Sequence, residues 1–164
     1  MHPGRAAFDS YIGELGIAVR TIEHPPVHTV EDALPHWAGL AGSHTKNLFL
    51  KDAKGGLWLV SLPAERRADL KALAATLGAK KFSFASAQTL EEVLGVQQGS
   101  VTAFALMNDR DRRVRFVLDA DLAAAPVVAF HPLTNTATTA IAQADLHRFL
   151  EATGHPPQII RLDG

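Results

Sequence analysis

The sequence contains no cysteine in its 164 residues. Disulfide-stapled scaffolds, thiolate zinc sites, iron–sulfur clusters and cysteine nucleophiles are therefore excluded. It also lacks any apolar run of the roughly 18 to 20 residues that a membrane-spanning helix needs, and its first residues lead into an amphipathic stretch with Asp9 and Glu14 instead of an apolar signal core. We therefore expect a cytoplasmic protein without a membrane partner.

Neither sign of charge dominates the chain. The formal net charge is −1, charged residues make up 20% and hydrophobic residues 47%, which are ordinary values for a globular protein and far from those of a disordered one. The length fits one domain over residues 1–164, since independent domains usually run about 100 to 200 residues. A net charge near zero argues against a generic polyanion binder, and DNA is not an expected partner.

Positive charge is nevertheless concentrated in two stretches. Residues 46–81 carry eight lysines and arginines against three acidic residues, and residues 110–115 carry four arginines against one aspartate. If both stretches meet on one face, they can hold the end of a nucleic acid. The alternative is a solvated helix face and a charged hairpin tip.

The spacing of apolar residues predicts alternating element types without an internal repeat. Helices are expected over residues 5–15, 30–37, 70–77, 89–94 and 145–153, and strands over 18–23, 47–52, 57–62, 82–84, 103–107, 114–118, 127–130 and 136–141. Two hairpins are expected, one with a glycine turn and one with a charged tip. This pattern predicts an α+β fold, a single domain with a mixed, largely antiparallel β-sheet surrounded by helices.

The motifs of several common enzyme classes are missing. There is no Gly-x-Ser-x-Gly elbow and no His-Glu-x-x-His pair, and residues 39–46 have the wrong glycine–lysine spacing for a phosphate-binding loop. Eight histidines invite a metal hypothesis, but two prolines prevent His24 and His28 from sharing a helix face, and His36 and His44 fall in expected loops. No metal site is predicted.

Three separated segments form a distinctive combination: Lys-Asn-Leu-Phe-Leu at 46–50, Gly-Ser-Val-Thr at 99–102, and Phe-His-Pro-Leu-Thr-Asn-Thr-Ala-Thr-Thr-Ala-Ile at 130–141. With these segments the sequence resembles the YbaK and prolyl-tRNA editing family, from about residue 24 to residue 150. The family's fold is the YbaK-like editing domain that also occurs as an insertion in bacterial prolyl-tRNA synthetases. Within the family, segment 46–50 is most similar to the freestanding alanyl-tRNA(Pro) deacylases called ProXp-ala.

The resemblance implies a hydrolase that cleaves the ester between a wrong amino acid and the terminal adenosine of proline tRNA, with no metal or organic cofactor. Its implied partner is the acceptor end of tRNA(Pro), with prolyl-tRNA synthetase as a second candidate partner. Such an ester is already activated, so a site needs to orient a water and stabilise the oxyanion without a protein nucleophile. Deacylation of seryl- or cysteinyl-tRNA and non-catalytic binding of a tRNA end or a synthetase are the alternatives.

The resemblance also assigns site residues. Lys46, Gly99 and His131 are the expected catalytic residues. The lysine places its ammonium against the terminal ribose hydroxyls or against the phosphate, whose negative charge it complements. The glycine begins a loop over the aminoacyl group, and the histidine forms a pocket wall or positions the water. The expected substrate-binding residues are Asn47, Ser100, Val101, Thr102, Asn135 and Thr136. The family pattern G-x-x-x-P is broken by Ala103, which predicts a looser loop and weaker selectivity.

Overall fold

The structure is a computed structural model that describes residues 3–26, 35 and 42–161. Within these ranges the chain forms five α-helices, one 3₁₀ helix and eight strands. In chain order they are α1 (Pro3–Glu14), β1 (Arg20–Glu23), β2 (Ser43–Lys51), β3 (Leu57–Pro63), α2 (Leu70–Leu77), β4 (Ser83–Phe84), α3 (Ala87–Leu94), the 3₁₀ helix (Ala103–Asn108), β5 (Val114–Asp119), α4 (Ala120–Ala124), β6 (Val127–Phe130), β7 (Ala137–Ala142), α5 (Gln143–Thr153) and β8 (Gln158–Ile160).

The strands form one mixed sheet in the order β1-β7-β6-β2-β3-β5-β8, with β4 paired to β2 outside that path. Antiparallel ladders join β1 to β7, β6 to β7, β2 to β3 and β2 to β4. Parallel ladders join β2 to β6, β3 to β5 and β5 to β8. The predicted α+β fold with a mixed, largely antiparallel sheet is therefore confirmed.

Strand β2 is the longest and pairs with three others. One of its edges pairs with β3 along seven residues. On the other edge, β6 pairs with Ser43 and His44, whereas β4 pairs with Leu50 and Lys51. Residues 45–49 of β2 therefore belong to no ladder on that edge, between the segment that pairs with β6 and the segment that pairs with β4.

The alternation of side chains along β2 and β3 divides the apolar residues between two cores. Phe49 and Leu59 belong to a larger core that also takes in residues of α1, α3, the 3₁₀ helix and α5. Leu50 and Val60 belong to a smaller core covered by α2. Because successive residues of a strand point to opposite faces, each position of β2 is committed to one side of the sheet.

Phe104 lies at the centre of the larger core and is completely buried. Its ring centroid is 4.5 Å from that of Phe8, 5.1 Å from that of Phe130 and 5.5 Å from that of Phe149. These contacts join α1, β6 and α5 through one side chain. Aromatic pairs at such distances and tilted angles are worth about 0.5–1.5 kcal/mol each beyond their buried area.

The prediction of a strand over residues 103–107 is wrong, because this segment forms the 3₁₀ helix. Its first four residues are fully buried, so no polar face distinguishes a buried helix from a buried strand. The side chain of Thr102 caps the helix by accepting the N–H of Phe104 at 3.3 Å.

The hairpin predicted over residues 103–118 is wrong as well. The carboxylate of Asp109 accepts the backbone N–H of Arg113 at 3.1 Å and that of Val114 at 2.9 Å, and it contacts Nε2 of His155 at 2.8 Å. These bonds turn the charged segment back on itself, as in a hairpin tip. The strand that follows, β5, nevertheless pairs in parallel with β3.

The remaining predicted elements agree with the structure to within a few residues, except where the chain is not described. The helix predicted over residues 30–37 lies outside the described residues, apart from residue 35. Helix α4 and strand β8 are short and were not predicted. No helix in the described part of the chain is long and apolar enough to span a membrane.

Arg66 is a structural residue, although it belongs to the first basic stretch. Its Nη1 lies 2.6 Å from a carboxylate oxygen of Asp119, which has no exposed side-chain area. The other oxygen of Asp119 accepts the N–H of Asp121 at 2.9 Å and so caps α4. The second guanidinium nitrogen of Arg66 binds the carboxylate of Asp121. The ion pair between Arg66 and Asp119 joins the segment after β3 to the end of β5.

We expect Arg66→Ala to lower the free energy of unfolding by about 3 kcal/mol, because Asp119 would keep a buried charge without its cation. Arg67→Ala is the matched control, since Arg67 is exposed and should change stability by less than about 0.5 kcal/mol. Urea unfolding of both variants measures the difference. Equal stability of the two would contradict a structural role for Arg66.

Candidate functional site

Lys46 lies on β2, and His131 directly follows the last residue of the neighbouring strand β6. The parallel ladder between β2 and β6 ends with the pair His44 and Ala129, and Lys46 and His131 each follow two residues later. Residues two apart in a strand share a face. The side chain of Lys46 is therefore directed to the face that carries His44 and Ala129, and His131 lies beyond the same end of the ladder.

His131 is held by a hydrogen bond to the first residue of β7 and lies near a second histidine. Its Nδ1 lies 3.0 Å from the carbonyl oxygen of Ala137. The rings of His131 and His24 are 6.4 Å apart. His24 contacts the carbonyl oxygen of Pro25 through Nδ1 at 2.9 Å and the hydroxyl of Thr138 through Nε2 at 2.8 Å. Because a carbonyl oxygen only accepts, Nδ1 carries the proton in both rings.

The environment keeps His131 neutral. Burial lowers the pKa of its imidazole below the usual value of 6.5, and nearby His24 lowers it further, while the hydrogen bond to Ala137 opposes the shift. With Nδ1 protonated, the neutral ring has its lone pair on Nε2. The site thus combines the ammonium of Lys46 with an uncharged hydrogen-bond acceptor.

His24 was missed as a site residue in the sequence analysis, which considered it only as a metal ligand. Its position directly after β1 and before two prolines is the available signal, because the prolines stop the strand and fix where the ring lies. Its backbone N–H donates to the carbonyl oxygen of Thr136 at 2.9 Å. This bond extends the β1–β7 pairing and brings His24 to the turn that carries His131.

Asn47 points to the opposite face from Lys46 and belongs to a chain of hydrogen bonds across three strands. The hydroxyl of Ser61 on β3 donates to Oδ1 of Asn47. Nδ2 of Asn47 donates to the hydroxyl of Thr45 at 3.3 Å, and that hydroxyl donates to the carbonyl oxygen of Ala129 on β6 at 2.8 Å. The side chain predicted to bind substrate is therefore engaged in joining β3, β2 and β6.

The loop of residues 99–102 lies against the larger core. Gly99 is exposed and has a φ of 91°, a conformation that side chains disfavour. Ser100 and Thr102 are buried, and Val101 packs against the larger core. In that core, Phe104, which follows the loop, contacts Phe130, the residue before His131.

The turn of residues 131–136 is anchored from inside by Leu133. This residue has a φ of 64° and is 1% exposed. The left-handed conformation costs a residue with a side chain about 1–2 kcal/mol, whereas burial of a leucine contributes about 1.5–3 kcal/mol. Burial therefore offsets the strain. Asn135 is partly exposed, and exposed Thr136 shares a hydrogen bond with Thr134 at 3.0 Å.

The two basic stretches meet only in part. Lys71, Lys80 and Lys81 are exposed. From the second stretch, Arg115 lies 4.9 Å from the ring centroid of Trp58, and that ring belongs to the smaller core, on the face of β2 that carries Lys46. Arg112 instead lies at the end of α5, where a Cβ on Gly154 would come within 2.2 Å of its Nε.

An open groove of about 550 Å³ lies elsewhere, between α1, the 3₁₀ helix and α5. Tyr11, Glu14, Asn108 and Arg112 are among its lining residues, which include none of the predicted site residues. Within residues 3–26, 35 and 42–161, no group of three His, Asp or Glu side chains is arranged to hold a metal ion.

Comparison with known proteins identifies the family. The family model described as an aminoacyl-tRNA editing domain matches residues 24–149. The chain therefore belongs to the aminoacyl-tRNA editing domain family, which confirms the resemblance to the YbaK and prolyl-tRNA synthetase-associated proteins. The matched range contains Lys46, the loop of residues 99–102 and His131.

Individual relatives are similar over nearly their whole length. The chain is 45% identical over 159 residues to the prolyl-tRNA synthetase associated domain-containing protein 1 of Xenopus laevis, covering 94% of each protein. It is 36% identical over 152 residues to the prolyl-tRNA editing protein ProX of Acetoanaerobium sticklandii, covering 92% of this chain and 93% of that protein. A crystal structure of a candidate trans-editing enzyme for prolyl tRNA synthetase has the same fold, with a TM-score of 0.75 at 20% identity over 100% and 99% of the two chains.

We expect the lowered pKa of His131 to make the protein less stable as the pH falls below about 6.5. In that range the unfolded chain, whose histidine has the ordinary pKa, binds a proton before the folded chain does. His131→Gln removes this difference. The free energy of unfolding of the parent should therefore fall more steeply than that of His131→Gln between pH 7.5 and 5, as measured by urea unfolding. Parallel curves would show that His131 titrates normally.

We expect Ala103→Pro to stabilise the protein by about 0.4–1 kcal/mol. Ala103 is the first residue of the 3₁₀ helix, where proline is favourable, and Thr102 before it is extended, with φ −156° and ψ 151°. Ala105→Pro is the matched control, since the N–H of Ala105 donates to the carbonyl oxygen of Thr102 at 3.1 Å. It should destabilise by about 3 kcal/mol. Destabilisation by both changes would mean that the buried position of Ala103 has no room for the ring.

Proposed function

We propose that this protein is a trans-editing hydrolase that deacylates mischarged tRNA(Pro), with alanyl-tRNA(Pro) as its main substrate. Membership of the aminoacyl-tRNA editing domain family supports hydrolysis of an aminoacyl ester. The names of the two relatives, a prolyl-tRNA editing protein and a prolyl-tRNA synthetase associated protein, support proline tRNA as the carrier. The choice of alanine rests on the similarity of residues 46–50 to ProXp-ala.

The observation on which the proposal rests is that Lys46 on β2 and the buried imidazole of His131, whose pKa is lowered, each follow the last pair of the β2–β6 ladder by two residues. The ammonium of Lys46 complements the negative charge of the terminal phosphate and of the ester oxygen as it develops. The lone pair on Nε2 of His131 accepts a hydrogen bond from a water molecule. If His131 were protonated, Nε2 would carry a proton and could not accept this hydrogen bond. Burial opposes protonation because it lowers the pKa of the ring.

The proposed reaction needs water as its only co-reactant. The water oxygen adds to the ester carbonyl carbon while a water proton passes to Nε2 of His131. The bond between that carbon and the ribose oxygen then breaks, and the ribose oxygen takes the proton from His131. The products are the free amino acid and uncharged tRNA. No metal or organic cofactor enters the proposal, and residues 99–102 enter it through the family resemblance alone.

The proposed partners follow from the substrate. The acceptor end of tRNA(Pro) is the part that reaches the site, and prolyl-tRNA synthetase, which produces the mischarged tRNA, is a second proposed partner. A protein that acts on charged tRNA works where translation occurs, so we propose a cytoplasmic location.

A deacylation panel tests the function directly. The purified protein is incubated with tRNA(Pro) charged with alanine, serine, cysteine or proline, and with tRNA(Ser) charged with serine and tRNA(Cys) charged with cysteine. We expect alanyl-tRNA(Pro) to be hydrolysed fastest and prolyl-tRNA(Pro) to be spared. In the same panel, Ala103→Pro should raise the preference for alanine over serine on tRNA(Pro). Binding of every tRNA without hydrolysis would replace the proposal with a non-catalytic binding module.

We expect Lys46→Ala to lower kcat/KM for the best substrate at least about a hundredfold, the usual effect of removing a group that stabilises developing charge. Arg20→Ala is the matched control, because Arg20 is an exposed cation on β1 of the same sheet and should leave the rate unchanged. Circular dichroism checks that both variants keep the parent fold. Turnover of Lys46→Ala at the parent rate would remove the lysine from the site.

A further inference from the structure

Phe84 is a large aromatic side chain that the fold leaves in solvent. It is 63% exposed, whereas Phe82, two residues earlier, is 7% exposed and packs edge-on against Trp58 with ring centroids 5.5 Å apart. Within the described residues, the other large exposed apolar side chain is Ile159 on β8, which is 48% exposed. A single exposed apolar residue is ordinary in a folded protein, so the surroundings of Phe84 decide whether it has a role.

The surroundings of Phe84 are strongly positive. Ser83 pairs with Lys51, and the N–H of Ala53 donates to the carbonyl oxygen of Lys80 at 2.8 Å, which holds the segment before β4 against the β2–β3 turn. Residues 50–56 and 80–84 together contain four exposed lysines, namely Lys51, Lys54, Lys80 and Lys81.

The acidic residue in these two segments, Asp52, is already engaged. Its carboxylate accepts the indole N–H of Trp58 at 3.0 Å and the N–H groups of Gly56 and Lys54 at 2.8 and 2.9 Å. The bond from Trp58 is the largest of the causes that hold the pKa of Asp52 below its usual value. The carboxylate is thus bound within the β2–β3 hairpin. Lys51 points to the face opposite Phe84, because it pairs with Ser83, so Lys54, Lys80 and Lys81 present the positive charge near Phe84.

Phe84 also lies on the same side of the sheet as Lys46. It pairs directly with Leu50 on β2, and directly opposed residues in a ladder share a face. Lys46 precedes Leu50 by four residues, so it points to that same face at a distance of about 13 Å along the strand. A few nucleotides of an extended single strand span this distance.

We propose that Phe84 is a stacking platform for a base in the unpaired 3′ end of the substrate RNA, with the neighbouring lysines contacting its phosphates. The inference rests on the proposed function, since it takes Lys46 as the site of the terminal ribose. An exposed aromatic ring among cations is the combination that proteins use to bind single-stranded nucleic acid. A protein partner fits the surface less well, because lysine is depleted in protein–protein interfaces.

The test measures binding and needs no hydrolysis. The probe is an uncharged RNA hairpin with four unpaired nucleotides at its 3′ end, and the same hairpin with a blunt end is its control. Phe84→Ala and Phe84→Leu should weaken binding of the first probe about fivefold to a hundredfold, the range for loss of one stacked base. Phe84→Trp should keep parent affinity. Ile159→Ala is the matched protein control and should bind as the parent does.

Salt dependence separates stacking from charge. The Phe84 variants should shift the affinity without changing its slope against salt concentration, because no cation is lost. Lys81→Glu should instead flatten that slope. The blunt hairpin should bind the parent and all three Phe84 variants equally.

Several results would overturn the platform. The first is that Phe84→Ala or Phe84→Leu binds the hairpin with the unpaired 3′ end as tightly as the parent does. The second is that the Phe84 variants lose as much affinity for the blunt hairpin as for the first probe. The third is that the parent does not bind the first probe. A change in self-association alone would also overturn it and identify a protein contact. If the expected binding pattern holds while the deacylation panel is negative, the deacylase proposal fails and the platform stands. If the panel is positive and the binding pattern fails, the deacylase proposal stands and the platform fails.

Discussion

The sharing of one edge of β2 between β6 and β4 is the constraint on which the rest of the structure depends. The ladder from β2 to β6 contains only two residue pairs. The hydrogen bonds from Ser61 through Asn47 and Thr45 to Ala129 reinforce it at the point where it ends. A short ladder supported in this way holds the two strands together and leaves residues 45–49 of β2 outside any ladder on this edge. Lys46 of the candidate site is among these residues.

The alternation of side chains along β2 explains how one strand can serve both stability and function. Thr45 and Asn47 point to the larger core and carry the hydrogen bonds between strands, whereas Lys46 points to the other face. Neighbouring residues thus have separate tasks. The same separation keeps Lys46 away from the aromatic contacts of Phe104, so a change at the lysine leaves the main core intact.

The candidate site contains two basic side chains, of which only Lys46 is charged. Burial lowers the pKa of His131, so this ring gives the site a neutral acceptor beside the cation of Lys46. The hydrogen bond from His131 to the carbonyl oxygen of Ala137 fixes which nitrogen accepts. Charge and hydrogen-bonding direction are therefore both set by the turn between β6 and β7.

Local patterns in the sequence were sufficient to predict the β2–β3 hairpin and most of the helices, because glycine turns, caps and apolar spacing act over a few residues. Helix α2, for example, ends at Gly78 with a φ of 68°. The 3₁₀ helix could not be recognised, since a short, fully buried run has no polar face. The position of Lys46 and His131 beyond the same end of one ladder depends on a parallel pairing between distant segments, which no local pattern encodes. The family resemblance named both residues without indicating how the fold places them.

The buried anchor at Leu133 has a consequence for how the protein can diversify. The centre of the turn, residues 132–134, is buried, whereas Asn135 is partly exposed and Thr136 is exposed. Substitutions at Asn135 or Thr136 should therefore leave the anchor and the packing beneath it unchanged. The exposed end of the turn can vary in sequence while its buried centre and the scaffold stay the same.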